Sequence, residues 1–326
     1  MSINRRKAMG QILGIAGTMT GAALIGPKAL AADHPCNCCD NGVGTGGTDL
    51  EERRLPYVRL DPLVAAKEGY EGYWRKHCSY GCFQSILKPL ADELRRQGRD
   101  EDAERVECVP TNVAAVGQGG MLGYGSLCGA LTGIAMAVNI LELPGGNATN
   151  AAVLHAIFRY YEKTSIPVGD VNESGYLKFI GAPSNQWDDG SAVTQEQVGA
   201  SVAGSVLCHA SVTNWSISSG YGIGSKAFTE RCAQVTSDIS YIAVKFLNDA
   251  LDGKLDAPIV APANEGCISC HGQPGDAQTP DNPVGASNVM SGMECASCHA
   301  PHPLDTTPVH PDFGGGDLSD CLTCHK

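Results

Sequence analysis

Three Cys-x-x-Cys-His units crowd the carboxyl end: Cys267-Ile-Ser-Cys270-His271, Cys295-Ala-Ser-Cys298-His299 and Cys321-Leu-Thr-Cys324-His325. In an exported chain this spacing is the attachment site of a c-type haem. Both thiols bond the porphyrin, and the adjacent imidazole takes an axial position on the iron. Zinc is the rival for Cys-x-x-Cys pairs, but zinc sites join two pairs, or a pair and a more distant His, into one tetrahedron. Three self-contained units suit haem, so the expectation is three haems c and a chain that moves electrons. The motifs begin at Cys267, Cys295 and Cys321, and tethers that short pack neighbouring macrocycles closely.

His271, His299 and His325 are the expected proximal ligands. The distal candidates are His302, just beyond Cys298-His299 in a spacing that resembles the doubled modules of multihaem cytochromes, and His310, together with His209 and His77. Met290 and Met293 are alternatives that would raise the potential. All three motifs end in His, so electron transfer is favoured over catalysis and no catalytic residue is assigned. The alternatives are a multihaem oxidoreductase acting on a small substrate, which would show a high-spin haem, and a redox-sensing module.

These ligands must be held by something. Across 256–326 only ten of 71 residues are Leu, Ile, Val or Phe, too few to offset the ordering entropy of that chain. The haems themselves must supply the interior of this small, irregular trihaem cytochrome c domain. A haem-free fragment of this segment is expected to give a circular dichroism spectrum without ordered structure; substantial order would count against haem as the core.

Residues 61–255 read instead as a mainly α, cysteine-bearing domain. Phe83, Ile86, Leu87, Leu90 and Leu94 repeat on one helix face with Cys82 at its start. Ser126 is expected to cap a helix through Leu141 that contains Cys128-Gly129-Ala130-Leu131-Thr132-Gly133, small residues that would let a neighbour approach closely. Further helices are expected over Asn150 to Glu162, around Cys208-His209 before Trp215, and over Lys226 to Leu251 with Cys232. Before them, 32–60 reads as a Cys- and Gly-rich linker with Cys36, Cys38 and Cys39.

Residues 1–31 have the form of a cleavable signal peptide: Arg5-Arg6-Lys7, an apolar run from Ile12 to Ile25, and Ala29-Leu30-Ala31. The paired arginines fit a twin-arginine leader, although Ala8 stands where a large apolar residue is usual and two basic residues also suit a Sec leader. Haem is attached after export, so a leader for folded proteins points to a second, earlier-loaded cofactor. Cleavage near Ala31 removes four cations and no acid, taking the formal charge of −12 down by four, to −16. Such a chain argues against nucleic acid and for redox partners with a basic docking surface, bound more weakly as salt rises. The expected location is the periplasm, with no membrane span after the leader is removed.

Six of the 15 cysteines belong to the haem motifs. The other nine are Cys36, Cys38, Cys39, Cys78, Cys82, Cys108, Cys128, Cys208 and Cys232. Disulfides are the default for spare thiols outside the cytoplasm, but an odd number leaves at least one over. Cys82 in Gly81-Cys82-Phe83, Cys128 in Cys-Gly-Ala-Leu-Thr-Gly, Cys208 in Leu207-Cys208-His209 and Cys232 in Glu230-Arg231-Cys232 resemble, over roughly 75–250, the redox-active family named for its Cys, Gly-Cys-Ala-x-x-Gly, Cys, Cys pattern. With haem motifs following, the chain is similar to the split-Soret type of c cytochrome. That resemblance implies a homodimer, closely packed haems at one end, and an iron–sulfur site for which Cys82, Cys128, Cys208 and Cys232 are the candidates. It also implies two haem motifs, whereas this chain has three. Four thiolates are a ligand set for iron–sulfur centres, but they are far apart in sequence; disulfides and buried thiols stay open as readings.

Overall fold

Asp61 starts the first helix by accepting a hydrogen bond from Leu63 N at 2.8 Å, and Pro62 occupies the first helical position, where a missing N–H costs nothing. The computed structural model describes residues 54–168, 185–255 and Met293. The α-helices of eight residues or more are α1 (Pro62–Arg96), α2 (Asp100–Glu107), α3 (Gly129–Asn139), α4 (Asn147–Lys163), α5 (Cys208–Ser219) and α6 (Lys226–Leu251). The described residues are mainly α-helical, as expected. The leader, most of the 32–60 linker, and all of 256–326 except Met293 lie outside the described residues, and with them the six haem-motif cysteines, His271, His299, His325, His302 and His310.

α1 is broken at Lys76 and His77, where His77 takes φ 66° and ψ −174°. The two halves then approach at glycines: a Cβ on Gly72 would stand 2.7 Å from Gly81 Cα, and one on Gly81 would stand 2.7 Å from the Gly69 carbonyl oxygen. Glu68, nearly buried, pairs with Arg75 of its own half at 2.5 Å and ties that half to the second through Lys88 at 3.4 Å. Nothing in the sequence announces this break, because Lys76 and His77 lie in a polar stretch and a positive φ at a histidine is uncommon.

The expected apolar face of the second half is buried in full, with Ile86, Leu90 and Leu94 at 0% exposure. It packs against α6 and α3, and α4 closes the other side through Val153, Ile157 and Tyr161. α6 matches its expected bounds, capped by Ser225, whose side chain accepts from Phe228 N. α4 begins at Asn147, ahead of the expected Asn150. The cap of α3 falls at Cys128 and not at Ser126, whose Oγ instead donates to the Gly120 carbonyl at 3.0 Å.

Two strand pairs leave no mark in the sequence, because two residues carry no readable alternation. Leu55–Pro56 (β1) pairs in parallel with Leu141–Glu142 (β2), and Ser165–Ile166 (β3) pairs antiparallel with Ser201–Val202 (β4). Asn248 on α6 fastens the incoming chain: it accepts from Tyr57 Oη at 2.9 Å and donates to the Leu60 carbonyl at 2.9 Å. Among the described residues no helix is long and apolar enough to cross a membrane.

Candidate functional site

Helix starts converge on the cysteines. Cys128 is the N-cap residue of α3 and Cys208 is the first residue of α5, while Cys78 opens the second half of α1 just after the break. Three helix N-termini bring the positive ends of their dipoles to one locality, which favours thiolate or any anion held there.

The loops before α3 and α5 place two of these thiols together. Cys128 N donates to the Val206 carbonyl at 2.9 Å, Cys208 N to the Ser126 carbonyl at 2.7 Å, and His209 N to the Gly125 carbonyl at 3.0 Å. Leu127 and Leu207 thereby form an antiparallel bridge, and the side chains that follow come within reach: the Cys208 thiol donates a hydrogen bond to the Cys128 sulfur. Gly129 makes room for Cys78, since a Cβ there would stand 2.5 Å from Cys78 Sγ. The small residues of the Cys-Gly-Ala-Leu-Thr-Gly element thus perform the expected task of close approach.

That hydrogen bond, helped by Tyr161, the Ala130 N–H and the Arg231 charge, and opposed by burial, holds the Cys128 thiol down at about 6. Cys208, the donor, is pushed up. Burial raises Cys78 to about 12, and raises Cys232 against the pull of Arg231. Of these thiols, Cys128 is the one poised to lose its proton at neutral pH.

Arg231 is a site residue that the sequence reading missed. It is 2% exposed, donates from Nη2 to Ser211 Oγ at 2.7 Å, and acts electrostatically on Cys232, Tyr161 and Cys128. Its Nε is buried without a hydrogen-bond partner. The sequence leaves Cys78 among the spare thiols, with no role of its own. The one signal for Arg231 is its place beside Cys232, but a charge on an amphipathic helix ordinarily reads as a solvated face.

Cys82 stands apart, fully buried, with Sγ donating to the Thr236 carbonyl at 3.5 Å and accepting from Ser240 Oγ at 3.7 Å. Cys108 is disulfide-bonded, whereas Cys78, Cys82, Cys128, Cys208 and Cys232 are free. His77 and His209 are both exposed, next to Cys78 and Cys208 in the chain, and the His77 ring meets Tyr73 edge-on at 5.8 Å. Among the described residues no three His, Cys, Asp or Glu side chains gather closely enough to hold a single metal ion. The donor set fits a polynuclear centre better: an iron–sulfur cluster spreads its four thiolates over two or more iron atoms, and the buried guanidinium would offset its negative charge.

A helical body with free thiols gathered at helix starts is suited to redox chemistry at sulfur or at an iron–sulfur centre. Residues 80–246 match the family described as "Putative redox-active protein (C_GCAxxG_C_C)", and the chain belongs to that family. It is similar to split-Soret cytochrome c of Desulfovibrio desulfuricans (strain ATCC 27774 / DSM 6949 / MB), at 25% identity over 308 residues covering 92% of this chain and 95% of that one. A solved structure of split-Soret cytochrome c from Desulfovibrio desulfuricans ATCC 27774, described for a novel iron centre, matches with a TM-score of 0.55 at 25% identity, over 77% of this chain and 92% of that chain. This kinship supports electron transfer and an iron-containing cofactor.

Proposed function

We propose that the chain is an exported electron carrier that binds three haems c through its carboxyl-terminal motifs and holds an iron–sulfur centre among the thiols of its helical body. The triple recurrence of Cys-x-x-Cys-His carries the haem reading, and the relationship to split-Soret cytochrome c supports it. His271, His299 and His325 would ligate the irons proximally, with His302 and His310 the first choices on the distal side. The periplasm, a homodimer and a basic redox partner are parts of the same proposal, resting on the leader, the relationship and the acidic charge.

An iron–sulfur centre, when bound, supplies a further one-electron store. The protein's own contribution is to hold negative charge in a buried place: helix starts aim N–H groups at the thiols, Arg231 adds a full positive charge, and Cys208 keeps Cys128 ready to ionise. The Cys208–Cys128 hydrogen bond also favours a second reading, in which this pair is itself a redox couple. Two thiols would then form one disulfide and release two electrons and two protons.

Purified full-length protein decides between them. The pyridine haemochrome assay is expected to give three haems per chain, with iron beyond three and acid-labile sulfide in the same sample. Three irons with no sulfide would leave the dithiol couple, and an absence of covalent haem would overturn the haem reading.

A further inference from the structure

The pattern that defines the family points to Cys82 as the first of four thiols, yet the fold turns the Cys82 thiol to Thr236 and Ser240 and away from the level of Cys232. Cys232, Thr236 and Ser240 lie one helical turn apart on α6. Cys82 is spent on Thr236 and Ser240, about 6 Å or more along the helix from the level of Cys232 at about 1.5 Å per residue. Its hydrogen-bonding capacity is used and it has no exposed surface.

Cys78 occupies the place the pattern gives to Cys82. It packs with Cys232 against Tyr70, Tyr73 and Ala233, and its sulfur lies over the first residue of α3, the position next to Cys128. Like Cys128 and Cys208 it begins a helical segment, and like Cys208 and Cys232 it is only half-buried, so a cofactor could reach it from outside. The buried, unpartnered Nε of Arg231 is an independent sign that an electron-rich group belongs among these thiols. The break in α1 also acquires a purpose, since an unbroken helix would give Cys78 no helix start.

We propose that Cys78, with Cys128, Cys208 and Cys232, is the ligand set of the iron–sulfur centre, and that Cys82 is a structural thiol; this rests on the iron–sulfur reading above. Cys78 precedes the 80–246 segment that matches the family, so this ligand would be a departure from the defining pattern.

The test compares wild-type full-length protein with Cys78→Ser, Cys78→Asp and Cys82→Ala, each purified anaerobically with its haems. The expected result is loss of acid-labile sulfide and of the non-haem electron paramagnetic resonance signal in Cys78→Ser, and retention of both in Cys82→Ala, with haem content unchanged. Should Cys78→Ser fold poorly by circular dichroism, Cys78→Asp gives a second reading. An oxygen ligand alters the g-values of a retained cluster, whereas a structural role for residue 78 would leave them as they are. Wild-type sulfide and signal in both Cys78 variants, or loss in Cys82→Ala with its helical spectrum intact, overturns the proposal. Wild-type protein without sulfide overturns the iron–sulfur reading itself and this assignment with it.

Discussion

Gly133→Ala is expected to destabilise the helical body by on the order of 3 kcal/mol, lowering its melting temperature by roughly 6–12 °C. A Cβ at this position would stand 2.1 Å from the Ser79 carbonyl oxygen and 3.0 Å from Phe83 N. These are backbone atoms of α1, which no side-chain rotation can move aside, so α1 and α3 must separate. The separation falls where it matters for the thiols, since Ser79 follows Cys78 and α3 begins beside Cys128. Gly222→Ala is the control: nothing lies within 4 Å of a Cβ there and its backbone needs no positive φ. Thermal unfolding followed by far-ultraviolet circular dichroism checks both, and equal melting temperatures would show that α1 and α3 are not locked at this crossing.

Arg231→Met is expected to leave the fold standing and to change the electron affinity of the site. Removing one partner from a buried set of charges leaves the others uncompensated, and Ser211 loses its donor, so the melting temperature is expected to fall while the helical spectrum is kept. For any unit charge about 6 Å from a redox centre, Coulomb's law gives about 3 kcal/mol at the effective dielectric constant of proteins, on the order of 100 mV for a one-electron couple. The sign follows from the charge: without the cation the reduced, more negative state loses its partner, and the midpoint potential of the non-haem centre falls. A redox titration monitored by electron paramagnetic resonance reads the shift. Superposable curves for variant and wild type would assign Arg231 to packing alone.

The periodic parts of the helical body are legible in the sequence because burial acts on spacing. Phe83 to Leu94 on α1 and the whole of α6 repeat at helical intervals and are buried as that repeat demands. Trp215 reads in the sequence as a mere neighbour of Cys208, yet it is wholly buried and its indole N–H donates to the Val198 carbonyl at 2.6 Å. The break at Lys76–His77 is illegible, because the chain there is turned by packing of the two halves at Gly72 and Gly81 and not by Pro or Gly at the break itself. The cysteines show the same limit at finer grain. Cys78 and Cys82 are four residues apart on one helix, so spacing puts both on one face, and only the depth of α6 beneath them tells which thiol meets Cys232 and which meets Thr236. Arg231 escapes for the opposite reason, since local pattern assigns an arginine to water and only distant contacts bury it.

The bridge between Leu127 and Leu207 ties together stretches far apart in the chain, and Cys128 and Cys208 become neighbours only when it closes. A growing chain that has not yet reached α5 therefore offers no receptacle. Whatever group these thiols take up must be handed to a finished body, which sets an order of biogenesis: tertiary closure first, insertion second.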